Sequence, residues 1–201
     1  MKAFGFLSFG HYGHGRGPGD PDAAQALKDA VEIAVGADEI GVNGAYWRVH
    51  HYARQAAAPI PLLSAAGART KRIEVGTGVI DMRYENPLYL AEEVAALDLL
   101  TDQRIAIGIS RGSPEQARRG WETFGYTGST DPRGADIARA HTAQFLDAVR
   151  GVPQADLDTS GGMASGASAR LRIEPHDDSV EAAVAHQQVR AQADEEQRLL
   201  G

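Results

Sequence analysis

The amino-acid sequence predicts an α/β protein built from four consecutive strand-helix units around a parallel sheet. Two observations predict it. Short apolar runs alternate in strict order with longer segments of helical period, the pattern of parallel strands joined by right-handed crossover helices. The carboxyl end of each run also carries glycine or polar residues that a plain turn does not require: Ser8, Gly10 and His11, then His50 and His51, then Thr77 and Gly78, then Ser110, Arg111 and Gly112. In open parallel sheets and in (β/α)8 barrels alike, ligands bind at those ends.

The elements follow in order. The run "KAFGFLSF" (2–9) reads as the first strand, and a glycine-rich loop leads to Asp20 and Pro21, read as N-cap and first helical residue. Leu27, Ala30, Val31, Ala34 and Val35 recur at helical spacing and give one apolar stripe, closing near Gly41. "AYWRVHHYARQ" (45–55) reads as a strand ending in two adjacent histidines, and "PIPLLSAAGART" (59–70) as a helix started by proline. "RIEVGTGVI" (72–80) is the third strand, and "NPLYLAEEVAALDLLT" (86–101) the third helix, with Leu90, Val94 and Leu97 on one side. Between them "DMRYENP" (81–87) reads as a solvated loop in which Arg83 is a candidate for touching substrate. "RIAIGIS" is the fourth strand, and a helix from about 131 to 150 places Ala138, His141, Phe145 and Val149 inward.

Bulk properties narrow the setting. A chain of 201 residues with 43% hydrophobic content is long enough for one soluble domain with a sizeable core. A net charge of −7 without a Lys/Arg cluster excludes a nucleic-acid partner, which requires a concentrated basic face. The chain has no cysteine, hence no disulfide, thiolate nucleophile or Cys metal site. The residues after Met1 show neither a signal peptide nor an apolar stretch of about 20 residues, so a cytoplasmic location without a membrane partner is expected. From Gly151 the sequence turns poor in apolar residues and rich in Gly, Ser and Ala. The expected organisation is a β/α body over 1–150, an irregular linker over 151–177 and a helical tail over 178–201.

Neighbouring strand residues leave opposite faces, so only one of His50 and His51 can face the strand-end site; His50 is expected to point in and His51 away. "HYGH" (11–14) has His-x-x-His spacing but no third ligand nearby, and no metal site is read from it. "GTGVID" and "GISRGSP" lack the G-x-G-x-x-G spacing of a dinucleotide fingerprint, and their glycines are read as relieving crowding. Arg111, between Ser110 and Gly112 at the mouth of a parallel strand, suits capture of an anion, a phosphate above all.

The ordered set "FGFLSF", "RVHHYA", "VGTGVI", "ENPLYLAEEVAALDLLTDQR" and "IAIGISRGSPE", covering about residues 1 to 150, resembles the bacterial luciferase-like flavin monooxygenases. The resemblance implies a (β/α)8 barrel and a catalytic His50 that assists flavin oxygen chemistry. It implies a non-prolyl cis peptide at Gly78 and Val79, with the Thr77, Gly78 and Val79 segment lying along the flavin ring. It places Ser110 close to the ring and Arg111 on the flavin phosphate. The implied cofactor is reduced FMN, with a deazaflavin as the alternative, and the implied reactants are O2 and a small organic substrate such as an aldehyde. A flavin reductase would supply the reduced FMN. Two positions depart from the family pattern: Val49 stands where an acidic residue precedes the His pair, and Gln103 where a glycine precedes the arginine opening the fourth strand. A full barrel needs roughly 250 residues, and no fifth to eighth unit is found after residue 150, so the first half of such a barrel is expected. An open half-barrel exposes an apolar face and strand edges, from which a homo-oligomer, or coverage by the carboxyl-terminal helix, is expected. A non-catalytic flavin-binding or interaction module, and an inactive truncated relative, stand as alternatives to the monooxygenase.

Overall fold

A computed structural model describes residues 3–13, 19–112 and 117–155; the expected tail helix and nearly all of the expected linker lie outside the described residues. The elements are β1 (Gly5–Ser8), α1 (Ala23–Glu39), β2 (Gly44–Trp47), α2 (Pro59–Arg69), β3 (Glu74–Asp81), α3 (Pro87–Leu100), β4 (Ile105–Ser110), a 3-10 turn (Gly120–Phe124) and α4 (Ala135–Val149). The strands form one parallel sheet in the order β1-β2-β3-β4, as the alternation predicts.

The register explains the two faces of the sheet. Phe6 sits opposite Ala45, Ala45 opposite Val75, and Val75 opposite Ile105, which makes one apolar row across all four strands. That row joins the helices in the core, with Leu63, Ala66, Leu90, Val94, Leu97 and Phe145. Leu7, Tyr46, Gly76 and Ala106 make the adjacent row on the other face. At Gly76 a Cβ would lie 2.1 Å from the Ala106 carbonyl oxygen, so the glycine does relieve crowding there.

α3 starts where its sequence signals place it: Asn86 Oδ1 accepts from the backbone of Leu88 and Tyr89 at 3.0 Å each, and Pro87 occupies the first turn. α1 differs from expectation. Its N-cap is Asp22, which accepts from Gln25 N at 2.7 Å, and not Asp20. Its buried stripe is Ala26, Ala30, Ala34 and Ala37, whereas Leu27 is 47% exposed. Ala30 and Ala34 of the expected stripe are buried and Val31 packs against the core; the face is turned by less than one residue, toward Ala26 and Ala37, because α1 meets the core through small side chains. β2 also ends earlier than expected, at Trp47, so the His pair lies beyond the strand.

The loop after β3 is the largest correction. Asp81, Met82, Arg83 and Tyr84 are all buried, each 5% exposed or less, where a solvated loop is expected. The polar run is buried because its charges compensate each other: Arg83 Nε donates to both Asp81 oxygens, at 2.9 and 3.0 Å.

Candidate active site

A cavity of about 230 Å³ opens at the carboxyl ends of β2, β3 and β4. It brings together His50, Gly78, Val79 and Ser110, four of the residues singled out from the sequence. Arg48, Val49, Asp81 and Gly112 complete its walls. The Gly78–Val79 peptide bond is cis. Two predicted residues are not in the walls. Thr77 is buried, and its hydroxyl donates to Gly108 O at 2.9 Å, which ties β3 to β4. Arg111 is exposed, although its neighbours Ser110 and Gly112 both line the cavity.

The chain beyond β2 is held by backbone bonds from Arg48 N to Ser8 O at 2.9 Å and from His50 N to Ala56 O at 3.1 Å. Arg48 Nε donates to His50 Nε2 at 2.6 Å. Since Nε2 accepts that bond, the ring proton of His50 resides on Nδ1. His51 turns the other way: its ring stacks on Tyr84 with centroids 4.4 Å apart and meets the edge of Phe124 at 5.0 Å. Its Nε2 lies 3.9 Å from Glu85 Oε1, a separation compatible with an ion pair. The electrostatics favour a neutral contact instead. Burial lowers the pKa of His51 against the opposing pull of Asp81. Burial, reinforced by the charges of Glu93 and Asp81, pushes Glu85 up to about 7.

Asp81 reaches the cavity with its charge already matched. Arg83 holds it through Nε and Nη2, also donates from Nη1 to Arg133 O at 3.0 Å, and lies with Cζ 4.9 Å from the Trp121 ring centroid. Gly112 passes directly over this guanidinium. It has φ +86°, and a Cβ there would fall 2.2 Å from Arg83 Nη2.

Residues 2–197 match the family model of the luciferase-like monooxygenases. The chain belongs to that family. Among curated relatives it is 32% identical over 91 residues to the oxygenase component of a flavin-dependent trigonelline monooxygenase from Acinetobacter baylyi, covering 44% of this chain and 25% of that protein. It is 31% identical over 93 residues to an F420-dependent glucose-6-phosphate dehydrogenase from Amycolatopsis mediterranei, covering 42% of this chain and 27% of that one. The chain thus spans about a quarter of the length of these relatives. Among solved structures, the oxygenating constituent of 3,6-diketocamphane monooxygenase from Pseudomonas putida, in complex with FMN, superposes with TM-score 0.62 at 20% identity, over 78% of this chain and 42% of that one. That likeness is one of fold, and it identifies the four units as part of a luciferase-like barrel. The relatives include both flavin- and F420-dependent enzymes.

Three residues at the cavity of this luciferase-like chain escape a motif-based reading: Arg48, Asp81 and Gly112 in its buried-arginine role. Strand alternation does not single them out: Arg48, Val49 and His50 line the cavity as consecutive residues beyond the end of β2, and the register of β3 shifts between Thr77 and Ile80. A larger cavity of about 500 Å³ lies between α1 and α2, lined by alanine more than by any other residue type, and its described walls carry no histidine or carboxylate for acid–base chemistry. His11 is engaged by Gln55 Nε2 at 2.6 Å, and His14 lies outside the described residues. Among the described residues no group of three or more His, Cys, Asp or Glu is placed to hold a metal, and no helix is long and apolar enough to cross a membrane.

Proposed function

We propose that this family member is a flavin-dependent monooxygenase that uses reduced FMN and O2 to oxidise a small organic substrate, with His50 as its proton-handling residue. One observation carries the reading: His50, the Gly78–Val79 peptide and Ser110 share one cavity at the strand ends.

The residues present suit one end of a flavin. Gly78 and Gly112 leave wall without side chains, against which a planar ring can lie, and Ser110 and His50 offer polar contacts at its edge. The cavity, about 230 Å³, is below the usual range of roughly 300–1,000 Å³ for a whole drug-sized ligand, so it admits only an edge of the ring beside a small substrate group, and the rest of the flavin would lie outside it. The phosphate would then run outward to the exposed Arg111, while Thr77 backs the ring segment by fixing β3 to β4. Bound reduced FMN supplies the electrons that activate O2. The chain's contribution is to hold and move a proton. With Nε2 oriented by Arg48, the His50 ring is held at the cavity wall as the group that passes a proton to the reacting oxygen and regains it.

The Acinetobacter relative is named as an oxygenase component, and we read this chain likewise as drawing reduced flavin from a separate reductase. Phe4, Leu7 and Phe9, all exposed along the β1 edge, support self-association. The test is a pair of substitutions assayed with reduced FMN and an aldehyde panel. His50→Ala should lower product formation by about two to four powers of ten with FMN affinity nearly unchanged. His51→Ala should act on stability, at about 1–3 kcal/mol from its lost ring contacts. Turnover that survives His50→Ala and disappears in folded His51→Ala would reverse the assignment, and turnover indifferent to both would end the enzyme reading.

A further inference from the structure

The cavity holds two ionic groups besides the histidine, and only one has its charge matched. Asp81 is held by Arg83 through a forked contact. Arg48 meets no carboxylate among the described residues. Its guanidinium is nonetheless fixed in place. Nε is used on His50 Nε2 at 2.6 Å, Cζ lies 5.2 Å from the Phe9 ring centroid, and the backbone N bonds Ser8 O. What this leaves is the two terminal nitrogens, with their donors in a rigid plane, on a residue that lines the cavity.

We propose that Arg48 is the specificity-determining residue of this site, and that its terminal nitrogens bind a carboxylate carried by the substrate. The proposal rests on the flavin reading above and narrows it to acidic organic substrates. Three things favour it. A half-buried arginine whose rotamer is already set by a histidine and an aromatic ring loses little freedom on binding, and planar bidentate recognition of a carboxylate is the strongest use of such a fork. Its charge is not cancelled within the cavity, so an anion entering there meets a net attraction. And its bond to His50 holds any carboxylate it binds beside the proton-handling ring, where a substrate belongs. The flavin phosphate has its own candidate in Arg111 at the exposed end. Arg48 would therefore do two jobs with one group: Nε sets the tautomer of His50, and the terminal nitrogens hold the substrate against it.

The experiment uses the full chain, loaded with FMN, and two neutral/anionic probe pairs: benzamide with benzoate, and riboflavin with FMN. Binding is followed by calorimetry and by the ¹⁵N signals of the His50 ring and the Arg48 Nε–H. Benzoate should bind at least tenfold more tightly than benzamide and should shift the Arg48 signal. Arg48→Gln should abolish that preference and redistribute the His50 tautomers, whereas Arg48→Lys should keep a preference for benzoate of a few fold. Equal affinity for benzoate and benzamide, or no binding of either, would overturn the proposal even where FMN binds normally. Arg48→Gln weakening FMN tenfold more than riboflavin would also overturn it, by assigning the anion to the flavin phosphate. Failure of FMN itself to bind the unaltered chain is the separate result that removes the flavin reading.

Discussion

Glu85→Gln should stabilise the protein above neutral pH and leave it nearly unchanged at pH 4. The carboxyl of Glu85 is mostly withdrawn from water beside His51 and is held up at about 7 from an ordinary 4.5. A folded state that keeps this proton when the unfolded chain has released it loses stability as pH rises from 4.5 through about 7, and the loss is complete above that range. The full displacement corresponds to roughly 3 kcal/mol. The side chain is 22% exposed, and solvent screening reduces the expectation to about 1–3 kcal/mol. Glutamine resembles the protonated acid and removes this term. His51 acts in the opposite sense: its lowered pKa costs stability as pH falls below 6.5, in both proteins alike. Urea unfolding of both forms at pH 4, 5, 6, 7 and 8 measures the difference. Stabilities should agree to about 0.5 kcal/mol at pH 4 and diverge in favour of Glu85→Gln by pH 8. A difference that is constant across the range, or an original protein that gains on Glu85→Gln as pH rises, would refute the reasoning.

Two further outcomes follow from the site. Arg111→Ala should weaken FMN at least tenfold more than riboflavin in fluorescence titrations, since only FMN carries the phosphate; equal losses would make Arg111 a structural residue. Gly112→Ala should cost about 2–4 kcal/mol in urea unfolding, because it combines a positive φ with a Cβ driven into the buried Arg83; stability within 0.5 kcal/mol of the unaltered protein would show that the Arg83–Asp81 pair is not fixed as described.

The sheet was legible because parallel strands and their helices write different periods, and each long element was found within a few residues of its observed bounds. What was misread lies where packing overrides pattern. α1 packs through alanines: Ala30 and Ala34 stand in the expected stripe, while Ala26 and Ala37, too weakly apolar to signal burial, belong at its edge in place of Leu27. The DMRY run, polar in sequence, is buried because Arg83 finds Asp81 two residues away and Trp121 across the chain, contacts that no local pattern records. His50 lines the cavity and His51 stacks on Tyr84, but both lie beyond the end of β2 at Trp47, so loop packing and not strand alternation turns them apart. Arg111 stands out by its motif position, whereas Arg48, two residues before the histidine, is a lone arginine in an apolar run and carries no motif. Its meaning comes only from the distance to His50.

The most direct test of the flavin reading is equilibrium titration of the ¹⁵N-labelled, desalted chain with FMN and, separately, with F420, followed by flavin absorbance and by backbone amide shifts. Saturable FMN binding should shift the amides of Gly78, Val79, Ser110 and Gly112 together, and Ser110→Trp, which fills the cavity, should abolish it. No FMN binding, saturation by F420 alone, or shifts confined to the α1–α2 cavity would contradict the assignment of the strand-end site to an FMN-dependent reaction.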